Sequence, residues 1–316
     1  MSRPLGRLST GVAVTGWGVA LPDTAVTNAE LEARLDTSDR WITERTGIRE
    51  RRIGGTTGQL AAAAARQALT AADATPASVD LLVVATSTPD QQLPATASTV
   101  QHTLGLRCGA FDVNAACSGF VYALVAGTGM SMAGARRVLV VGADVMSRVT
   151  DQDDRSTAVL FGDGAGAVVL DAVEGPGQLL GWDLGSDGSL RHLLQADIGG
   201  YVQMEGKEVF RRAVRVMVES SEMALQRAGL TIDDVALLVP HQANTRIITA
   251  ACERLGIPME RAAMVLHRTG NTSAASIPLA LGDAVDAGRV AKGDIVLLVG
   301  FGAGMTWASA VLRWGQ

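Results

Sequence analysis

Lysine is nearly absent from this 316-residue chain: of 27 basic side chains only Lys207 and Lys292 are lysines, the rest being arginines. Set against 32 acidic residues, they leave a net charge of −5 at pH 7. A sequence-independent nucleic-acid binder needs excess positive charge to displace phosphate counterions, so no nucleic-acid partner is expected. Long apolar runs are missing as well. Mean hydropathy is positive, +0.22, yet no run reaches the roughly 18 to 20 residues of a spanning helix. Residues 1–10 hold two arginines with no apolar stretch after them, which argues against a secretory signal. The expectation is a cytoplasmic protein without a membrane partner. Only three cysteines occur, Cys108, Cys117 and Cys252. They have no metal-ligand spacing and cannot all pair, which leaves buried thiols or one reactive thiol. Aromatics are scarce, with five Phe, five Trp and two Tyr, while 36 glycines and a 47% apolar content fit a folded globular chain.

What is present alternates between strand-like and helical stretches, the pattern of an α/β fold. Residues 11–18, 81–86, 110–114, 137–142 and 166–170 read as strands, and 59–72, 97–104 and 118–132 as helices. The second half repeats this order. Leu81-Leu82-Val83 and Leu237-Leu238-Val239 lie 156 residues apart, and the same offset carries Cys117 onto Ser273 within residues 270–275. Residues 138–141 match 295–299 at nearly the same offset. Three features in one register predict a duplicated domain, with halves 1–171 and 172–316 packed as one body because no linker-like composition separates them.

Glycine-rich segments at 162–166 and 300–304 resemble phosphate loops but match neither the G-x-G-x-x-G nor the G-x-x-x-x-G-K-[ST] spacing. Tight turns and close backbone approach explain them better. Cys117 follows a short strand and opens a helix. There, unpaired N–H groups and the helix dipole are expected to lower a thiol pKa; a buried structural cysteine is the other reading. His241 stands at the carboxyl end of a strand, where α/β sheets place their ligands. Asn271 lies in the turn that the repeat aligns with Cys117. Convergence of Cys117, His241 and Asn271 on one pocket would make a nucleophilic-catalysis set.

Several blocks together resemble one family. They are Asp36-Thr37-Ser38-Asp39-Arg40-Trp41-Ile42, Arg45-Thr46-Gly47-Ile48-Arg49-Glu50-Arg51, the Cys117 segment and Phe161-Gly162-Asp163-Gly164-Ala165-Gly166. Pro240-His241-Gln242-Ala243-Asn244, residues 270–275, and Gly302 through Thr306-Trp307 complete the set. In this order they make the chain similar, over almost its whole length, to β-ketoacyl-acyl-carrier-protein synthase III of the thiolase superfamily. The resemblance implies a thiolase-like duplicated α/β fold, two pseudo-symmetric halves in a layered αβαβα arrangement. It implies a decarboxylating condensation of an acyl-CoA primer with malonyl-acyl-carrier protein, which gives a 3-oxoacyl-acyl-carrier protein and initiates fatty-acid synthesis. It further implies a homodimer and no metal, flavin or nicotinamide cofactor.

Carried over residue by residue, Cys117 is the nucleophile, and the N–H groups of Cys117 and Ala303 form an oxyanion hole. His241 and Asn271 hold the malonyl thioester carbonyl. Trp41 and Arg148 sandwich the adenine of CoA beside Thr37 and Arg45, and Gly206, Phe210, Asn244 and Phe301 line the pantetheine channel. Leu93 sits on a loop that reaches the acyl pocket of the neighbouring subunit. Arg211, Gln242, Ala243, Asn244, Thr245, Arg246 and Arg254 match the surface that meets an acidic carrier protein, although Glu253 stands where a basic residue is common. The alternatives are a pathway-specific relative that primes a polyketide or transfers an acyl group without elongation, a non-catalytic partner subunit, and a degradative thiolase. Cys117 counts against a partner subunit. The lack of a second cysteine near the C-terminal glycine loop counts against a thiolase.

Overall fold

The computed structural model describes residues 11–315; the stretch 1–10, read above for a signal peptide, lies outside them. The first half builds a five-stranded sheet from β1 (Gly11–Ala20), β2 (Leu81–Ala85), β3 (Gly109–Val113), β4 (Arg137–Val145) and β5 (Asp163–Val173), in the order β1-β5-β4-β2-β3. The second builds a four-stranded sheet from β6 (Leu179–Ser186), β7 (Val235–Pro240), β8 (Ile295–Gly302) and β9 (Thr306–Arg313), in the order β7-β8-β9-β6. In both halves the central strand pairs in parallel on one side (β4 with β2, β8 with β7) and antiparallel on the other (β4 with β5, β8 with β9). A parallel bridge from Leu238 to Ala262 stands where β3 stands in the first sheet. The duplicated topology is therefore complete except for one shortened edge.

Helices fill three layers. α1 (Thr57–Ala71) and α2 (Thr96–Leu104) cover the outer face of the first sheet. α3 (Gly119–Met132) and α6 (Ser276–Asp286) lie between the sheets, and α4 (Gly206–Ala228) and α5 (Thr245–Leu255) cover the outer face of the second. This is the expected αβαβα order. The strands are apolar throughout because both of their faces are buried. Leu82 and Val84 point into the outer core, Val83 and Ala85 into the middle one. The middle core joins Val83, Val138 and Val140 of one half to Val296, Leu298 and Leu312 of the other, so neither half closes without its partner. The boundary expected at 171 falls inside β5, which continues through Val173. Among the described residues no helix is long and apolar enough to cross a membrane.

Glycine explains how closely these layers pack. A Cβ on Gly16 or Gly18 of β1 would collide with the Ala68 or Ala64 carbonyl of α1, and one on Gly181 of β6 with the Ala224 carbonyl of α4. The alanine-rich α1 thus lies directly on the sheet backbone. Gly164 and Gly166, expected in a turn, are residues of β5. Gly166 is bare because a Cβ there would lie 2.6 Å from Pro278 of α6. Where the halves meet, Gly142 of β4 faces the Ala274 carbonyl with no room for a Cβ. Gly142→Ala is expected to lower stability by ~1–3 kcal/mol through overpacking, read as a lower urea midpoint with unchanged slope. An unchanged midpoint would contradict this backbone contact.

Candidate active site

β3 ends at Val113, and the chain turns into α3 through a single 3-10 turn, Ala116–Ser118. Asn114 Oδ1 accepts the Ala116 N–H at 3.2 Å, and Ala116 adopts φ 47, a left-handed conformation that turns Cys117 inward. The matching turn of the second half, Ser273–Ala275, opens α6, and its first residue, Ser273, has φ 51. The two junctions therefore align Ala116 with Ser273, one residue away from the sequence pairing of Cys117 with Ser273. The reason is that strained backbone, rather than side-chain chemistry, marks the equivalent positions. Cys117 Sγ instead reaches across the interface to Ser273 Oγ at 3.5 Å.

Cys117 is 8% exposed and opens onto a cavity of about 620 Å³ that His241, Asn271, Phe301 and Ala303 also line. The three residues expected to act together thus share one site. A Cβ on Gly302 would fall 2.6 Å from Cys117 N, so the bare glycine brings the Gly302-Ala303 backbone against the Cys117 N–H. The expected lowering of the thiol pKa is overturned. Burial pushes it up to about 12, the charge of Asp144 adds to this, and the Ser273 hydroxyl opposes it. A thiol sealed from water gains less from a helix terminus than it loses in hydration. Cys108 and Cys252 are free thiols that do not line the cavity.

His241 leaves the end of β7 with its N–H on Val299 O at 2.8 Å and its ring edge-on to Phe301, centroids 5.4 Å apart. Burial pushes its pKa down to about 3, so the ring is neutral. Nδ1 lies 2.6 Å from Ser276 Oγ, which accepts the Gln242 N–H at 3.3 Å. A hydroxyl accepting that bond gives its own proton to Nδ1, and this pattern assigns the ring proton to Nε2. Asn271 spends its Oδ1 on Ser273 N–H at 2.9 Å, which leaves its amide NH2 as a donor. Site and ligand therefore meet through two neutral N–H donors, suited to an oxyanion.

Gly206, Phe210, Ala243 and Asn244 line the same cavity, as expected. Asn244 also ties the entrance together: its Nδ2 donates to Arg45 O at 3.0 Å and its Oδ1 caps α5 at Arg246 N, 2.9 Å. Arg148 does not meet Trp41. It is held by Asp90 at 2.9 Å and by Thr57 and the Thr88 carbonyl. The guanidinium beside Trp41 is that of Arg155, 5.1 Å from the ring centroid, with Arg45 at 5.0 Å. Two arginines lie near each other in sequence here, and only the fold distinguishes them. Thr37 keeps a buried, unpaired Oγ1. Leu93 is 84% exposed and outside its own chain's cavity. Arg211, Arg246 and Arg254 are exposed, with Arg211 paired to Glu208 at 2.6 Å and Arg246 5.9 Å from the Phe210 ring. Gln242 belongs elsewhere than a docking surface. It is wholly buried, its Nε2 donates to Pro240 O and Ala263 O, and its Oε1 accepts from Val265 N and Leu266 N. Thr245 packs against Gly47, whose φ of +80 ends the helix Asp39–Thr46.

Two features escaped the sequence. Met146, Val149, Leu160, Phe161, Leu194 and Val202 form an apolar chamber in the cavity. They come from four separate segments, and only Phe161 stood in a recognised motif. Asp144, fully buried behind Cys117, is the other.

The histidine yields a pH prediction. An unfolded imidazole binds a proton below about 6.5, whereas His241 stays neutral down to about 3. Stability therefore falls as pH drops through that window, by on the order of 2 kcal/mol from pH 7 to 5. Urea midpoints at both pH values should differ by less in His241→Gln than in the parent; equal differences would mean that the ring titrates normally.

Residues 111–188 match the family described as 3-oxoacyl-[acyl-carrier-protein] synthase III, and residues 225–314 match its C-terminal part. The β-ketoacyl-[acyl-carrier-protein] synthase III of Roseiflexus castenholzii is 52% identical, over 96% of this chain and 98% of its own. Among solved structures, 3-oxoacyl-[acyl-carrier-protein] synthase III from Aquifex aeolicus superposes with a TM-score of 0.94 at 46% identity, covering 96% of this chain and 100% of that one. The priming β-ketosynthase of the R1128 polyketide pathway reaches 0.93 at 38% identity, covering 98% of each chain. With the layered fold and the shared Cys117 cavity, these similarities establish that the chain belongs to the β-ketoacyl-[acyl-carrier-protein] synthase III family of thiolase-fold condensing acyltransferases.

Proposed function

We propose that this protein transfers an acyl group from acyl-CoA to Cys117 and condenses it with malonyl-acyl-carrier protein, releasing CO2 and a 3-oxoacyl-acyl-carrier protein. The observation that carries this reading is the opening of Cys117, His241 and Asn271 onto one cavity. The Cys117 sulfur attacks the thioester carbonyl, and the oxygen that becomes negative meets the N–H groups of Cys117 and Ala303. CoA leaves as its thiolate. The malonyl thioester then enters with its carbonyl oxygen between His241 Nε2–H and the Asn271 amide. Cleavage of its carboxylate yields CO2 and an enolate, which these donors stabilise more than the neutral carbonyl. The enolate carbon attacks the acyl-cysteine and expels the Cys117 thiolate. The chemistry needs only the chain's own residues, with no metal or flavin.

The wider assignments follow the same scheme. Trp41, Arg45 and Arg155 offer a planar, cationic cleft for the CoA nucleotide, while Phe210, Asn244 and Phe301 line the route for its pantetheine arm. Exposed Arg211, Arg246 and Arg254 suit an acidic carrier protein. The chamber of Met146, Leu160, Phe161, Leu194 and Val202 gives an aliphatic primer room beyond acetyl. Leu93 acts on primer choice through a second copy of the chain, in a homodimer. The likeness to the R1128 priming synthase favours a second reading, in which the same steps prime a polyketide; primer and partner carrier protein separate the two.

The half-reactions divide the residues. Cys117→Ala should gain no acyl mass with acyl-CoA, while Cys108→Ala and Cys252→Ala acylate normally. His241→Ala and Asn271→Ala should acylate yet condense slower by a factor of ~10² or more. Intact mass and CO2 release measure the two steps. Acylation of Cys117→Ala, or full condensation by both donor variants, would overturn the assignment.

A further inference from the structure

The mechanism above leaves one group unused and one proton unassigned. Asp144 is fully buried between the halves, and it binds both. Its Oδ1 accepts from Thr86 Oγ1 at 3.0 Å, Ser87 N at 2.8 Å, Thr88 N at 3.0 Å and Thr88 Oγ1 at 2.8 Å, and its Oδ2 accepts from Ala274 N at 2.9 Å. Ala274 follows Ser273, whose hydroxyl is a further hydrogen-bond neighbour of the carboxyl. That hydroxyl also receives the Cys117 thiol. Sulfur, hydroxyl and carboxyl therefore stand in series. The thiol needs an acceptor for its proton, and His241 is occupied through Nδ1 by Ser276. Ser273 holds φ 51, a strained backbone conformation for a residue with a side chain, and that conformation sets its hydroxyl between the other two groups.

We propose that Asp144 stores the Cys117 proton, passed through the Ser273 hydroxyl, for the lifetime of the acyl-enzyme. On acylation the sulfur–acyl bond forms and the acyl–CoA bond breaks. The thiol proton moves to Ser273 Oγ while the serine proton moves to Asp144, and the departing CoA thiolate takes its proton from water. On condensation the sulfur–acyl bond breaks and both protons retrace their paths, so that Cys117 is a thiol again. One solvent proton is consumed per turnover, as loss of neutral CO2 together with neutral CoA requires. Burial, which holds the Asp144 carboxyl above the ordinary aspartate range, favours its protonated form. The ionisable group facing Asp144 is Cys117 itself; its other contacts, Thr86, Ser87, Thr88, Ser273 and Ala274, are neutral.

The store rests on Cys117 being the nucleophile, but it can be read without a substrate. Iodoacetamide alkylates a thiol and releases one proton, unless a neighbouring group retains it. Alkylation of Cys117 in the intact protein, counted against Cys117→Ala to remove the other cysteines, is expected to release no proton near pH 7. Its rate should stay flat between about pH 7 and 9, because the proton moves within the pair. Asp144→Asn and Ser273→Ala should each release one proton per alkylated sulfur, with rates rising about tenfold per pH unit, as for a simple thiol below its pKa. Ser273→Ala is the variant expected to fold unperturbed, since Ala116 already occupies the equivalent position at φ 47. Release of one proton by the parent protein overturns the store, as does one pH profile common to all three proteins. A protein that passes this test but is not acylated by acyl-CoA would refute the acyl-CoA reading and leave the store standing.

Discussion

The contact on which the site depends is between backbones. Gly142 of the first half lies against the Ala274 carbonyl of the second, and Asp144, two residues along the same strand, accepts the Ala274 N–H at 2.9 Å. This pair clamps the turn that carries Asn271 and Ser273 to the strand behind Cys117. On the other side of the interface Gly302 lies against Cys117 N. Each half thus supplies a bare strand backbone onto which the other half's helix-opening turn is seated. A fold with one half alone could hold the cysteine or its partners, but not both.

Burial then decides which chemistry the site can run. It keeps the thiol protonated and the imidazole neutral, so no thiolate–imidazolium pair stands ready in the resting protein. Charge appears only as the reaction proceeds, and the site answers it with fixed N–H donors. Ser276 orients His241, Ser273 N–H orients Asn271, and Gly302 admits the Ala303 backbone. Donors fixed in advance cost no reorganisation when the enolate forms.

Much of this was legible in the sequence because burial on both faces leaves continuous apolar strands, and because duplication repeats them at a fixed offset. The strand-to-helix position of Cys117 and the strand-end position of His241 could be read directly, and the resemblance brought Asn271 to them. Other features depended on three dimensions. Arg148 and Arg155 lie seven positions apart in a short irregular stretch, and only Asp90 reveals which one is tied away from Trp41. Gln242 sits in a motif at the site, yet its amide holds the chain segments around Ala263 and Val265 and meets nothing outside. The apolar chamber comes from side chains scattered between Met146 and Val202. The helix-terminus argument for Cys117 failed because sequence position carries no measure of desolvation.

The central claim is that Cys117 carries the acyl group in a pocket shaped by both halves. A crystal structure of the protein acylated by a medium-chain acyl-CoA tests it most directly. The acyl carbonyl oxygen should lie about 2.7–3.1 Å from the nitrogens of Cys117 and Ala303, with its chain against Phe161, Leu194 and Val202. An adduct on another residue, or an acyl oxygen turned away from both nitrogens, would contradict the account.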